Sequence, residues 1–430
     1  MQKTDFGALL GYGSLQEEQR IPSLNGDELN DLLSPVSVAE FVNTYFAKTS
    51  VHIEGYEQKF EQIFSWEKLN QALKRGENIP DKLYNIKASF AGGEDSGDPH
   101  DANEVDHSQV VEVLNSGGTI CISNIQMADP FLAKWALAIC GQLNFTGTVG
   151  INCYISQDGS GFPMHYDARV ATTIQIAGKK LWKYSTKAAK PWPKTNAVYQ
   201  KGKTNNSAGD LPQDMDIREV VLSPGDVLCL PAGAWHSARG IGCSMALNLS
   251  FSPQNYLKHI LPMLERFADN NPEWRGGPPV IAQSIKGQIP VEVSTYVRER
   301  LYEFNTITQQ VLANSDALVE PWARSLTRAS YSGKTQVKSI PEVGPEQLFT
   351  VAAPPLRYIE FKGLLLISFN NEIHKFPTSL APILERLCSK PVNFSIPEII
   401  ALQQTANGLT PNEAIHYLQV LYKFGIISLA

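Results

Sequence analysis

The chain has 430 residues, 43% of them apolar and 19% charged, and a formal net charge of −6 at pH 7. That length exceeds what one compact core accommodates, so two or three domains are expected, and the composition is globular, not disordered. The acidic balance argues against loose, salt-driven nucleic-acid binding as the main activity and leaves room for a basic protein or peptide partner.

Residues 1–35 carry Gly and polar residues with little periodicity and read as a loose leader. They lack the basic start and apolar run of a secretory signal. From Ser37 the segment VAEFVNTYFAKTS reads as a capped helix, followed by a short extended VHIEG. Residues 92–107 hold six acidic residues and neither Lys nor Arg, a loop by composition. Such a loop is either a solvated surface or an acidic lip that attracts a cationic substrate.

Between about 118 and 252 the pattern changes to short strands: TICISNI, VGINCYIS, the segment around His165, TTIQIAGKKLWKYS, DVLCLP and SMALNLSF. A helical piece, PFLAKWALAICGQL, interrupts them. Strands of this kind predict an antiparallel barrel or sandwich. Residues 186–214, rich in Lys, Pro, Asn and Gly, read as a long loop on the rim. Segments NYLKHILPMLERFA and VEVSTYVRERLYEFNTITQQVL are amphipathic helices, the second with Val293, Val297, Leu301, Phe304 and Val311 on one stripe.

A linker, SIPEVGPEQ, leads to the last unit. FKGLLLISFNNEIHKF predicts a hairpin across Asn370-Asn371, and Thr410-Pro411-Asn412-Glu413 is a capping box opening the last helix. With a closing strand, IISL, these parts read as a winged helix. Residues 346–430 carry six cations and six anions, a poor balance for phosphate contact, so protein contact is expected there. The six cysteines are scattered without CxxC, as in a reduced, cytoplasmic protein. No stretch approaches the roughly 20 apolar residues of a membrane span.

Two segments combine into a metal site. In His165-Tyr166-Asp167, residues two apart on a strand point the same way, so imidazole and carboxylate lie side by side. The run Gly225-Asp226-x4-Pro231-x-Gly233-x2-His236 has the form of the second cupin motif and delivers another histidine. Two nitrogens and one oxygen make the facial triad that suits non-haem Fe(II). The remaining histidines, at 52, 100, 107, 259, 374 and 416, have no ligand partners at recognisable spacing and read as structural or solvated.

The stretch FPMHYDARVATTIQIAGKKLWKYS resembles the metal-binding core of the JmjC hydroxylases, especially the ribosomal oxygenases and more distantly the HIF asparaginyl hydroxylase. The resemblance implies an α+β chain: a double-stranded β-helix (cupin/jelly-roll) JmjC barrel over 36–253, a helical dimerisation segment over 254–345 and a winged-helix domain over 346–430. It makes His165, Asp167 and His236 the iron ligands and Lys180 the cation for the far carboxylate of the co-substrate 2-oxoglutarate. Asn248, Asn152 and Tyr154 fall at positions that touch the co-substrate or substrate, or that serve the fold. Trp182 and Trp235 line the pocket or pack. Phe162 and Ala171 stand where the HIF hydroxylase offers polar contacts to the co-substrate, so that pocket is not reproduced, and Ala168-Arg169 stand where ribosomal oxygenases carry another acid. The implied activity is hydroxylation of an aliphatic side-chain carbon in a protein or peptide by a homodimer, without membrane or nucleic-acid partners. The rivals are an oxygenase acting on a small molecule or RNA base, lysine demethylation, and a non-catalytic cupin binding protein.

Overall fold

Segments between residues 51 and 252 assemble into one eleven-stranded sheet in the computed structural model. The structure describes residues 6–10, 24–90, 103–199, 209–255, parts of 257–281, 289–313, Ala323, 347–351, 357–369, 372–389, 393–405, 409–424 and 426–429. In chain order the strands are β1 (Val51–Ile53), β2 (Asn85–Ser89), β3 (Asn103–Glu104), β4 (Thr119–Ser123), β5 (Thr148–Ser156), β6 (Gly161–Tyr166), β7 (Val170–Ser185), β8 (Ala197–Val198), β9 (Ile217–Leu222), β10 (Val227–Leu230) and β11 (His236–Ser252). Their hydrogen-bonded order is β1-β10-β7-β11-β5-β4-β2-β3, with β9 on β7 and β6 bridging β11 and β8.

Two strands, β7 and β11, are long enough to turn a corner. Residues 236–241 pair with 179–184, residues 245–251 pair with 170–177, and the register breaks between the two runs. Gly178 (φ 63°) and Gly242 (φ 68°) lie at that break, where side-chain-bearing residues are strained. Such an interruption bends and twists the ribbon. Beyond the corner, β10 extends one limb of β7 and β9 the other, giving the cupin-like β fold.

Alternation then sorts the two faces. Ile151, Cys153, Ile155, Ile174, Met245, Leu247 and Leu249 belong to the large core shared with helices Trp66–Gly76 and Pro130–Gln142. Asp129 caps the second of these by accepting from the Phe131 and Leu132 amides at 2.9 and 3.0 Å, with Pro130 in the first turn. On the opposite face Ala171, Trp182, Tyr184, Leu222, Leu228, Leu230 and Ala238 form a smaller cluster lining the barrel.

The start of the chain departs from the loose leader its composition predicts. Phe6, Leu10, Leu29, Leu32 and Leu33 are buried in the large core. The Gln142 side chain accepts from the Leu29 amide at 2.7 Å and donates to the Gly26 carbonyl at 2.8 Å. Among the described residues all of these core residues but Leu10 lie in two short helical pieces, Phe6–Leu9 and Glu28–Leu33, too few turns for a periodic signal. The helix expected after Ser37 is capped by that serine but passes within one turn into a π-helical stretch, Phe41–Tyr45. Acidic residues 94–101, the loop centre at 200–208, the Asn370-Asn371 turn, residues 324–346, His100 and His259 lie outside the described residues.

Contacts divide the chain into one unit of Met1–Pro253 with Ser389–Val392 and a second of Gln254–Cys388 with Asn393–Ala430. The second contains helix Val291–Ala313, two three-stranded sheets, and helices Ala381–Ser389, Ile396–Thr405 and Pro411–Lys423. Both halves of the Thr410/Glu413 capping box are formed. No helix among the described residues is long and apolar enough to cross a membrane.

Candidate metal and co-substrate site

His165 sits near the end of β6, Asp167 immediately beyond it, and His236 opens β11, directly opposite His165 in the register. One ligand atom from each of the three lies within 4.8 Å of the other two, the sole such cluster of three or more among the described residues. The His236 Nε2 to Asp167 Oδ2 distance is 4.0 Å, and the imidazole centroids of His165 and His236 are 4.2 Å apart. Two donors each about 2.1 Å from one ion stand at most about 4.2 Å apart, so this pair can share one.

Backbone carbonyls fix the tautomers. His165 Nδ1 lies 2.8 Å from the Pro163 carbonyl, and His236 Nδ1 lies 2.9 Å from the Ala234 carbonyl. A carbonyl only accepts, so each Nδ1 carries the proton and each Nε2 offers its lone pair, as a metal requires. Donor types, spacing and tautomers therefore fit a divalent iron.

The turn that delivers His236 is held against Asp167. Gly233 (φ 88°) donates its N–H to the Asp167 carbonyl at 2.8 Å, and its own carbonyl accepts from Ala189 at 2.8 Å. A Cβ on Gly233 would meet the Lys190 carbonyl at 1.9 Å. Gly233→Ala is therefore expected to lower stability by about 1–3 kcal/mol and to weaken Co(II) binding. Melting curves with and without Co(II) check both, and an unchanged metal-induced shift counts against the turn's role.

Lys180, on β7 beyond the corner, is 4% exposed. Burial lowers its pKa to about 8, with only the Cys153 and Cys121 thiols opposing. No carboxylate among the described residues pairs with it. Its Nζ stands 5.8 Å from the centroid of the Tyr154 ring. Burial likewise holds the Tyr154 phenol well above its ordinary range. Cys121 lies opposite Tyr154 across β4 and β5, its thiol pushed up to about 11 by burial. Composition gave no sign of that thiol's place here.

The remaining sequence-predicted residues divide. Asn248 is cross-strand partner to Asn152 and Thr173, and its buried Oδ1 has no hydrogen-bond partner. Such an orphan costs about 1–3 kcal/mol unless a ligand or a flipped amide satisfies it. Asn152 Oδ1 accepts from the amide of Asn124, which is left-handed at φ 53°, so part of its work is structural. Trp182 stacks on His236 at 5.9 Å inside the barrel. Trp235 packs on Tyr166 at 4.7 Å and donates to the Asp210 carbonyl, away from the triad. His52 meets Asp226 at 3.4 Å, tying β1 to the turn before β10.

Residues 126–259 match the JmjC domain family. The chain carries a JmjC domain. The chain is 24% identical over 316 residues to YxbC of Bacillus subtilis, covering 68% of this chain and 93% of that protein. It is 32% identical over 154 residues to human ribosomal oxygenase 1, covering 34% of this chain and 23% of the human protein, so it spans under a quarter of that relative's length. The structure of YcfD, a ribosomal oxygenase from Escherichia coli, in complex with cobalt and succinic acid superposes with a TM-score of 0.54 at 13% identity. It covers 92% of this chain and 98% of that one, a likeness of fold. The JmjC region holds all three triad residues as well as Lys180 and Asn248.

Proposed function

We propose that this chain is an Fe(II)- and 2-oxoglutarate-dependent oxygenase that hydroxylates an aliphatic carbon of an amino-acid side chain in a protein or peptide. One observation carries the reading: a buried ammonium without a carboxylate partner shares a barrel with two lone-pair imidazoles and a carboxylate. A passive barrel gains nothing from burying Lys180, whereas a dicarboxylate reaching from the metal to Lys180 compensates its charge. The names of the human and E. coli relatives, both ribosomal oxygenases, support the same class.

His165, Asp167 and His236 would hold the iron. Once bound, the metal would supply the chemistry by which O2 oxidatively decarboxylates 2-oxoglutarate to succinate and CO2, one oxygen atom entering succinate and the other a substrate C–H bond. The protein's residues do the rest. Pro163 and Ala234 keep both Nε2 atoms unprotonated, Lys180 binds the far carboxylate, and an Asn248 amide turned over offers N–H donors to an acid. Trp182, stacked on His236, walls that side of the triad from water.

The outer parts of the reading rest on the second unit. Val297 and Leu301 of helix Val291–Ala313 are 48% and 64% exposed, which supports a dimerisation segment within 254–345. Hairpin, capped helix and balanced charge support a winged helix over 346–430 that contacts protein and not DNA. Six free cysteines support a reducing, cytoplasmic setting.

Anaerobic titration with Fe(II) and 2-oxoglutarate tests the core claim: a weak metal-to-ligand charge-transfer band is expected, and its absence removes the oxygenase reading. Mass spectrometry of extract proteins treated with the loaded enzyme is expected to show +16 shifts. A band without any such shift would favour the small-molecule or RNA-base rival.

A further inference from the structure

We propose that Phe162 sets the length of keto diacid the pocket accepts. The inference rests on the co-substrate reading above and adds to it a residue that measures the ligand.

The geometry begins with a register slip. Opposite β11, His165 pairs with His236 and Phe162 with Ala238. The step is two residues on β11 and three on β6, so β6 holds one extra residue, a bulge. In a regular strand, residues three apart face opposite ways. The bulge turns Phe162 and His165 to one side, and their rings meet at 6.3 Å. Pro163 occupies the bulge, where its lack of an N–H costs no ladder bond. Gly161 precedes it because a Cβ there would strike the Ala238 carbonyl at 1.9 Å.

Phe162 also meets Tyr154 edge-on, at 5.7 Å and 83°. The Lys180 ammonium lies 5.8 Å from the centre of that same Tyr154 ring. Lys180, Tyr154, Phe162 and His165 are thus joined by successive contacts from the cation to the triad. The two aromatic rings are the apolar wall along which the methylenes of a dicarboxylate run. Since both ends of the acid are anchored, the wall between them fixes how many methylenes fit. One extra methylene in a closed apolar pocket is discriminated about 10- to 200-fold.

The test uses anaerobic charge-transfer titrations with Fe(II) and either 2-oxoglutarate or 2-oxoadipate, its homologue longer by one methylene. Wild-type protein is expected to favour 2-oxoglutarate at least tenfold. Phe162→Ala is expected to shrink that preference about tenfold, chiefly through tighter binding of 2-oxoadipate, with Phe162→Leu between the two. Co(II) binding, unchanged in both variants, reports that the triad is intact. Equal loss of both acids, or an unchanged preference in the folded Leu variant, overturns the proposal. A wild-type protein that binds neither acid removes the co-substrate reading itself, and this inference with it.

Discussion

Asp167→Ala and His165→Ala are each expected to abolish succinate formation and to lower Fe(II) or Co(II) affinity by more than about 100-fold. Loss of an outer partner alone costs about 10- to 100-fold in metal affinity, so loss of a ligand costs more. The two substitutions remove different atoms of one cluster, and each leaves two donors, too few for a stable open site. Neither should unfold the barrel, because the ladder between β6 and β11 is made by backbone groups. Metal titration of the folded variants, followed by succinate assay, separates the two effects. Full turnover in either variant would show that the three groups do not hold the catalytic metal.

Lys180→Met is expected to act in opposite directions on binding and on stability. Without the ammonium, the far carboxylate of 2-oxoglutarate would be buried unpaired, which costs about 3–5 kcal/mol, so affinity falls by 100-fold or more. Free of ligand, the same lysine is a burden. Its pKa is lowered to about 8 in the folded chain, against 10.5 when unfolded, chiefly by burial. Between pH 8 and 10.5 the unfolded chain binds the extra proton, so stability rises with pH across that window. Below pH 8 the full cost, about 3 kcal/mol, is present. Methionine of similar volume should therefore stabilise the ligand-free protein at pH 7, as urea unfolding would report. In wild-type protein, 2-oxoglutarate affinity should fall about tenfold per pH unit above about 8, where Lys180 is neutral. The Met variant should lack that dependence. A destabilised Met variant, or a wild-type affinity flat through pH 9, would remove Lys180 from the role assigned to it.

What the sequence made legible was local. The His165/Asp167 pair, the Pro-x-Gly turn before His236 and the strand pattern around Lys180 all follow from spacing along a few residues. Each is a matter of strand alternation or turn chemistry, which neighbours in sequence decide. The parts that escaped depend on distant partners. Burial of Phe6, Leu10 and Leu29 needs a core completed a hundred residues later, so a short apolar triplet reads as a leader. Asn152 was legible as serving either the pocket or the fold, and only its distant partner Asn124, whose amide its oxygen accepts from, shows the second role. The proton positions on His165 and His236 depend on two carbonyls, and backbone carbonyls leave no mark in a sequence. Phe162 had two clues, the resemblance that sets it at a co-substrate position and a proline one residue later in a strand, which hints at a bulge but not at what it aims.

That single surplus residue in β6 has an evolutionary consequence. Because it lies between Phe162 and His165, insertion or deletion there can rotate one side chain out of the barrel while its neighbour keeps its place. A lineage could therefore re-tailor which acid it consumes without surrendering iron.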